Sequence, residues 1–384
     1  MKRRWYFSVY GGGLGHISRS LWVADAISGQ KFLSTWGEAL DMVNSGTIVL
    51  PSTPLDVVWS SEGRMSFRST IKKFYSVFST PAIQISEEVN RIKSIDPDVV
   101  ISDSRISPII ASRICSKPSA LIINQARVLL PLRGSVVSRE LERLTGEFLS
   151  IIWGMSDLIM VPDLPPPYTI SHEGIYSRVV FNKLKFFGFF SRRPTPSTIN
   201  VREKFGLKER VVYAAISGPR PTRDFIIRLL EKAGRCLPTN LSLVISEGSA
   251  SKVEAVEKHG NVLKFGWDSY RNDFLNQADA VILRAGLTTM GEVIMAGKPM
   301  MLFPIALHGE QISNASRAKE MGIARIYDQY STKPETLCNE MASIIDDSAI
   351  KRRVEFVSKL ALSVKTEEMV KNALEGIVRD DEPA

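Results

Sequence analysis

The strongest constraint on this chain is an alternation that runs through most of its 384 residues. Short β-branched runs, apolar on both faces, are separated by longer amphipathic stretches. In the first half the runs are "WYFSVY" (5–10), "TIVL" (47–50), "VVIS" (99–102), "ALIIN" (120–124) and "LIMV" (158–161). In the second half they are "VVYAAI" (211–216), "LSLVIS" (241–246), "VLKF" (262–265), "AVILR" (280–284) and "MMLFP" (300–304). A strand that is apolar on both faces must be covered on both, which is the situation of a parallel sheet lying between helices. The intervening stretches supply such helices. In "RDFIIRLLEKAGRCL" (223–237), Phe225, Ile226, Leu229, Leu230 and Ala233 share one face. The expected fold class is therefore α/β, with doubly wound parallel sheets.

The alternation breaks once, at "FFGFFSRRPTPSTINVREKFGL" (186–207), where prolines, Ser/Thr residues and arginines mark a linker. This predicts a Rossmann-like domain over 1–190, a linker over 191–209 and a second Rossmann-like domain over 210–362. A terminal helix over 363–384 either completes the second domain or returns to the first. Two such halves facing each other leave a central cleft, and open parallel sheets bind ligands at the carboxyl ends of their strands.

Composition excludes several classes. Hydrophobic residues make up 44% and charged residues 23%, as in ordinary soluble globular proteins. Cys115, Cys236 and Cys338 are far apart, odd in number and unaccompanied by histidines. They read as separate thiols of a reducing cytosol, not as a zinc site or a disulfide frame. The basic start leads into an apolar run that glycines end after about six residues, too short for a signal peptide. No stretch approaches the roughly 18 apolar residues of a membrane span, so the expected location is cytoplasmic. The net charge of +8 suits an anionic partner. The basic residues are dispersed and no recognition motif is present, which sets nucleic acid aside.

Three stretches carry chemistry. The first is "GGGLGHISR" (11–19), following the first strand. Its glycines, Gly13 and Gly15 among them, permit a sharp turn with backbone N–H groups near a ligand, and the next helix presents its positive end. No GK[ST] follows, and the glycine spacing is wrong for a dinucleotide fingerprint. His16, at the helix start, suits a general base near neutral pH; a capping or packing histidine is the plainer alternative. The second stretch is "DPDVVISDSRIS" (96–107). Asp103 follows a buried strand and should reach the same rim, either to orient His16 or to cap the following helix. Asp96 and Asp98 lie at the other end of that strand in a proline turn, so they are not a metal site.

The third stretch runs from 275 to 318, "LNQADAVILRAGLTTMGEVIMAGKPMMLFPIALHGEQISNASRA". A strand ends at Arg284, Gly286 turns, and Thr288 and Thr289 open a helix whose free N–H groups and hydroxyls suit a diphosphate. Glu292, one turn on, could take the two hydroxyls of a ribose. His308, Glu310, Gln311 and Asn314 then offer directional hydrogen bonds of the kind that read a sugar.

Together, "GGGLGH", "RAGLTTMGEVIMAGKPMMLFP" and "EQISNA" resemble the GT-B glycosyltransferases of family 28, the MurG-like N-acetylglucosaminyltransferases and the dolichol-pathway enzyme that adds the second N-acetylglucosamine. The resemblance implies two Rossmann-like domains, a UDP-sugar held by the second, an acceptor held by the first and a C-terminal helix returning to the first. It further implies inverting transfer with no metal or other cofactor. It assigns Gly286, Thr288 and Thr289 to the phosphates, Glu292 to the ribose, Gln311 and Asn314 to the sugar, and His16 to the N-terminal glycine loop. Ser217 and Gly218, in "ISGPRPTR" (216–223), lie where the second domain's first strand ends and should approach the phosphates as well. The GLGH form departs from the TGGH-like run of the peptidoglycan enzyme and also resembles hydrolases of pseudaminate synthesis, in which the histidine serves a water.

For the acceptor, "GRMSFRSTIKKFYSVFSTPAI" (63–83) puts Phe67, Ile71, Phe74 and Phe78 on one helical face beside Arg64, Arg68, Lys72 and Lys73. Such a stripe over 64–78 fits an anionic membrane surface and a lipid-linked acceptor. The commoner situation of such a stripe is a core-facing helix with a solvated basic back.

Overall fold

The computed structural model describes residues 2–43, 46–54, 79–127, 129, 136–218, 220–248, 256–266 and 269–378. The aromatic and basic stretch 64–78 lies outside them. The chain forms two compact units. One contains the described residues up to Ser191 together with those from Val364 onward; the other runs from Arg192 to Ser363.

In the first unit the strands are β1 (Arg4–Val9), β2 (Gln30–Thr35), β3 (Thr47–Pro51), β4 (Val99–Asp103), β5 (Ser119–Ile122), β6 (Leu158–Val161) and β7 (Leu184–Phe186). They pair in the order β3-β2-β1-β4-β5-β6-β7, all parallel. The order reverses between β1 and β4, the switch point at which an open α/β sheet has room for a ligand. Helices α1 (Leu14–Ala26), α2 (Ser79–Ile95), α3 (Ser107–Ile114) and α4 (Val136–Trp153) make the crossovers.

The second unit repeats the plan. Its strands are β8 (Arg210–Ala215), β9 (Leu241–Ser246), β10 (Val256–His259), β11 (Val262–Phe265), β12 (Ala280–Leu283), β13 (Met300–Leu302) and β14 (Ala324–Ile326). Their order is β10-β11-β9-β8-β12-β13-β14, and β10 alone runs antiparallel to its neighbour. Helices α5 (Arg220–Ala233), α6 (Arg271–Gln277), α7 (Leu287–Met295), α8 (Gly309–Glu320), α9 (Pro334–Asp346) and α10 (Ser348–Ser363) belong to this unit. The Pro/Ser stretch after Ser191 is bonded to it as well. Thr198 N donates to Asp273 Oδ1 at 2.6 Å, and Asn200 caps a single turn at 201–204 through Arg202 and Glu203.

The last helix, α11 (Thr366–Glu375), packs in the first unit. Val370 and Leu374, fully buried, join Ile17, Val23, Phe187 and Phe190 in one core cluster, and Trp22 stacks on Phe190 at 5.4 Å. Gly188 sits at φ +79, and a Cβ there would come within 2.7 Å of Thr366 Oγ1, so the strand-to-tail approach needs glycine.

One expectation fails. Cys236 and Cys338, 102 residues apart, form a disulfide across a Cα–Cα distance of 6.2 Å, linking the turn after α5 to α9. A pairing over that separation leaves no trace in spacing, which is why the two read as separate thiols. Cys115 is free.

If α11 is part of the first unit's core, Leu374→Ala should lower stability by about 2–5 kcal/mol, the cost of a buried Leu-to-Ala cavity. Urea denaturation followed by tryptophan fluorescence measures this. An unchanged midpoint would place the helix outside that core.

Candidate active site

In the first unit the glycine stretch is shaped by sterics. Gly13, the residue before α1, has φ +148, a conformation that a side chain strains. A Cβ on Gly11 would lie 2.3 Å from the Trp36 carbonyl oxygen. Trp36 is buried, faces Tyr10 edge-on at 5.2 Å and carries Arg105 over its ring at 5.1 Å. Arg105 in turn pairs with the fully buried Glu88 at 3.0 Å. The turn is thereby held closed, and α1 starts with Gly15 and His16 in its first turn.

The β1–β4 register sets Val9 beside Asp103, so the last residue of β4 comes next to the start of α1. His16 Nδ1 lies 2.7 Å from Asp103 Oδ1. Asp103 is 0% exposed and His16 one quarter exposed, with Tyr10 edge-on to its ring at 5.2 Å. Burial acts to raise the Asp103 pKa. The charge and hydrogen bonds of Arg19, with the hydrogen bond from His16, outweigh it and hold the carboxyl well below the usual range. Asp103 is thus an acceptor: Nδ1–H donates to it, which leaves Nε2 as the ring nitrogen that can accept a proton. The alternative reading of Asp103 as a helix cap fails, since α3 begins at Ser107 with no side-chain cap bond. Asp96 and Asp98 lie at the opposite strand end, on Arg4 and Lys117.

Arg19, Ser20 and Asn124 belong to this cluster, and sequence reasoning did not single them out. Arg19 Nε and Nη2 donate to the two Asp103 oxygens at 2.7 and 2.5 Å, and Ser20 Oγ donates to Oδ2 at 2.9 Å. Arg19 Nη1 reaches Asn124 Oδ1 at 3.1 Å. The available signal is the helical spacing of Arg19 from His16, which puts both on the side of α1 facing β4.

In the second unit the phosphate-type turn follows β12. Gly286 caps α7 at φ −81, and a Cβ on it would meet open space. Neither conformation nor packing demands a glycine there, so the position is open to a close-approaching ligand. Thr288 and Thr289 are half-buried in the first turn. Ser217 and Gly218 (φ +105) form the turn after β8, where a Cβ on Gly218 would meet Thr222 Oγ1 at 3.1 Å.

Glu292, one turn along α7, is paired with Arg271. Its Oε2 accepts from Arg271 Nε at 2.9 Å and Nη2 at 2.5 Å, and Oε1 has no partner among the described residues. The pairing with Arg271 was not anticipated.

Several residues expected at the ligand make hydrogen bonds within the fold. Arg284 is 1% exposed; its Nη1 donates to Phe303 O and Gln329 Oε1, and its Nη2 to Thr222 O. Burial pushes this guanidinium down to about 10. It is a strut joining the loops after β13 and β14 to the first turn of α5. Asn314, 1% exposed, donates to Ala285 O at 3.1 Å and so fixes the turn before Gly286. Gln311 Oε1 accepts from Ile305 N at 2.9 Å, and its Nε2 has no partner among the described residues. His308 caps α8 by accepting from Gln311 N at 3.5 Å, and Glu310 follows it in the first turn. Among the described residues there is no cluster of three or more His, Cys, Asp or Glu that could hold a metal ion.

Residues 222–361 match the glycosyltransferase family 28 C-terminal domain. The chain is a glycosyltransferase. It is 26% identical over 378 residues, 96% of each chain, to an uncharacterised glycosyltransferase of Methanosarcina mazei. Over 158 residues, 40% of this chain and 43% of the relative, it is 27% identical to a Bacillus cereus enzyme. That enzyme is named UDP-N-acetylglucosamine–N-acetylmuramyl-(pentapeptide) pyrophosphoryl-undecaprenol N-acetylglucosamine transferase 1. Among solved structures, a kitacinnamycin glycosyltransferase superposes with a TM-score of 0.66 at 16% identity, covering 98% of this chain and 99% of the other. The calicheamicin glycosyltransferase CalG4 gives 0.64 at 15%, covering 100% of both. These are GT-B proteins, and the glycosyltransferase described here has that fold.

Asp103 lowers its pKa on folding, so its pairing stabilises the glycosyltransferase above about pH 4, the unfolded value, and is lost as pH falls toward the folded value. Asp103→Asn leaves Arg19 buried without its counter-charge and should cost about 3–5 kcal/mol at pH 7. The gap should narrow below about pH 4. Denaturation at pH 7 and pH 3 checks both; equal stability at pH 7 would contradict the pairing.

Proposed function

We propose that this glycosyltransferase moves a hexose or N-acetylhexosamine from a UDP-sugar to an acceptor hydroxyl, with inversion and without a metal ion. The observation that carries the reading is His16, whose Nδ1–H is committed to an ionised Asp103 while Nε2 has no partner among the described residues. A base oriented in this way takes the proton of the acceptor hydroxyl. The acceptor oxygen bonds to the anomeric carbon from the face opposite the diphosphate. The bond from that carbon to the diphosphate oxygen breaks, and its electron pair leaves with UDP.

The leaving charge is met in the second unit. The backbone N–H groups at the start of α7, with Thr288 and Thr289 in its first turn, meet the diphosphate beside the open space at Gly286. Glu292 Oε1 takes a ribose hydroxyl, and Gln311 Nε2 a hydroxyl of the sugar. A UDP-sugar donor is supported by the name of the Bacillus cereus relative. That name, with the net charge of +8, also supports a lipid-linked acceptor met at an anionic membrane surface. Among the described residues no helix is long and apolar enough to cross a membrane.

The test is UDP release from a panel of UDP-sugars, with and without membrane lipid extract and with and without EDTA. Release should require the lipid extract and be unaffected by EDTA. It should fall by about 10²–10⁴ in His16→Ala, and Glu292→Ala should raise the donor KM. Equal release without any acceptor would overturn transfer in favour of hydrolysis. Loss with EDTA, restored by a divalent cation, would overturn metal independence.

A further inference from the structure

The first unit contains a buried cation for which the proposed chemistry has no step. Arg19, in the second turn of α1, is 3% exposed. Its Nε and Nη2 grip both oxygens of Asp103, and Nη1 and Nη2 are anchored at 3.1 Å on Asn124 Oδ1 and Ser104 Oγ. With Ser20 Oγ also on Oδ2, that oxygen is filled, and Oδ1 is the one left facing the imidazole. Arg19 Nη2 also lies 3.0 Å from His16 Nδ1. Nδ1 cannot donate to Asp103 and accept from Arg19 at once. Since Asp103 is ionised, Nδ1 carries the hydrogen, and the guanidinium beside it acts as a neighbouring like charge on any imidazolium.

We propose that Arg19 is a positioning residue for His16, fixing Asp103 with one oxygen turned to Nδ1 and offsetting that carboxylate's charge. This rests on the reading of His16 as the base. A histidine facing an uncompensated buried carboxylate holds a proton more tightly and spends more of its time unable to accept another. The charged and titratable groups that face His16 among the described residues are Asp103 from β4, Arg19 from α1 and the Tyr10 phenol from the turn after β1. Arg19 is the one formal positive charge in that set. The planar fork matters too, because a single ammonium cannot hold two carboxylate oxygens in fixed positions.

The experiment follows the His16 ring by NMR, in a chain with four histidines, its signal assigned by its loss in His16→Ala. Wild type, Arg19→Gln and Arg19→Lys are titrated, with circular dichroism as the check of folding. Arg19→Gln should raise the His16 midpoint by about one pH unit or more, and move the acid limb of kcat/KM up with it. Arg19→Lys should shift the midpoint by less than half as much while lowering kcat about tenfold, because charge is kept and the fork is lost. A folded Arg19→Gln with an unmoved His16 midpoint would overturn the proposal. Should Arg19→Gln not fold, Arg19→Lys carries the test, and parental kcat in that variant would overturn it. The titration needs no substrate. An unmoved midpoint therefore sinks the role of Arg19 while leaving the base assignment standing, and parental turnover in His16→Ala does the reverse.

Discussion

A carboxylate that folding removes entirely from water must be paired, and Asp103 is such a group. Much of the first unit's rim follows from meeting that requirement. The strand order sets β4 next to β1, the register carries Asp103 to the level of Val9, and the glycine turn starts α1 close enough for three of its side chains to converge on one carboxylate. A bulkier residue at Gly11 would collide with Trp36, and one at Gly13 would be strained. Either change would move the helix that delivers the partners. The glycines, first suggestive of phosphate, are explained here by the need to bring His16, Arg19 and Ser20 to Asp103.

The second unit solves a different problem: keeping a loop open. Ala285 and Gly286 form the turn that follows a buried strand, with the Ala285 carbonyl buried and the Gly286 Cα beside open space. Asn314 occupies the Ala285 carbonyl, and Arg284 ties neighbouring loops together from beneath. The polar residues of this region act mainly by satisfying backbone groups that would otherwise be buried without partners. Among the described residues, Oε1 of Glu292 and the amide nitrogen of Gln311 have no partner, and a Cβ on Gly286 would meet nothing within 4 Å.

The parallel sheets were legible in the sequence because their central strands are apolar on both faces, a pattern that leaves little choice of architecture. β2 was not read from the sequence, because "QKFLST" begins exposed and ends in polar residues. β7, β10 and β14 were missed because they are short or exposed sheet-edge strands with weak apolar patterns. The proximity of His16 and Asp103 could be argued from strand ends alone. The arginines could not. Arg19 and Arg271 look like solvated charges in a basic chain, and only the folded arrangement of β1 beside β4 and of Arg271 beside Glu292 sets them against carboxylates. Arg284, Asn314 and Gln311 illustrate the converse. A polar residue beside a ligand loop reads as a ligand contact, yet side-chain direction, which sequence does not encode, sends part of its bonding into the fold.

The account's central claim is that His16 and Asp103 act as one unit in proton removal. The most direct measurement is a double-mutant cycle on kcat with His16→Ala, Asp103→Asn and the pair, using the donor and acceptor that give the highest UDP release. If Asp103 works only through His16, the double variant should turn over no more slowly than His16→Ala alone. Losses that multiply in the double variant would show two independent contributions and contradict the claim.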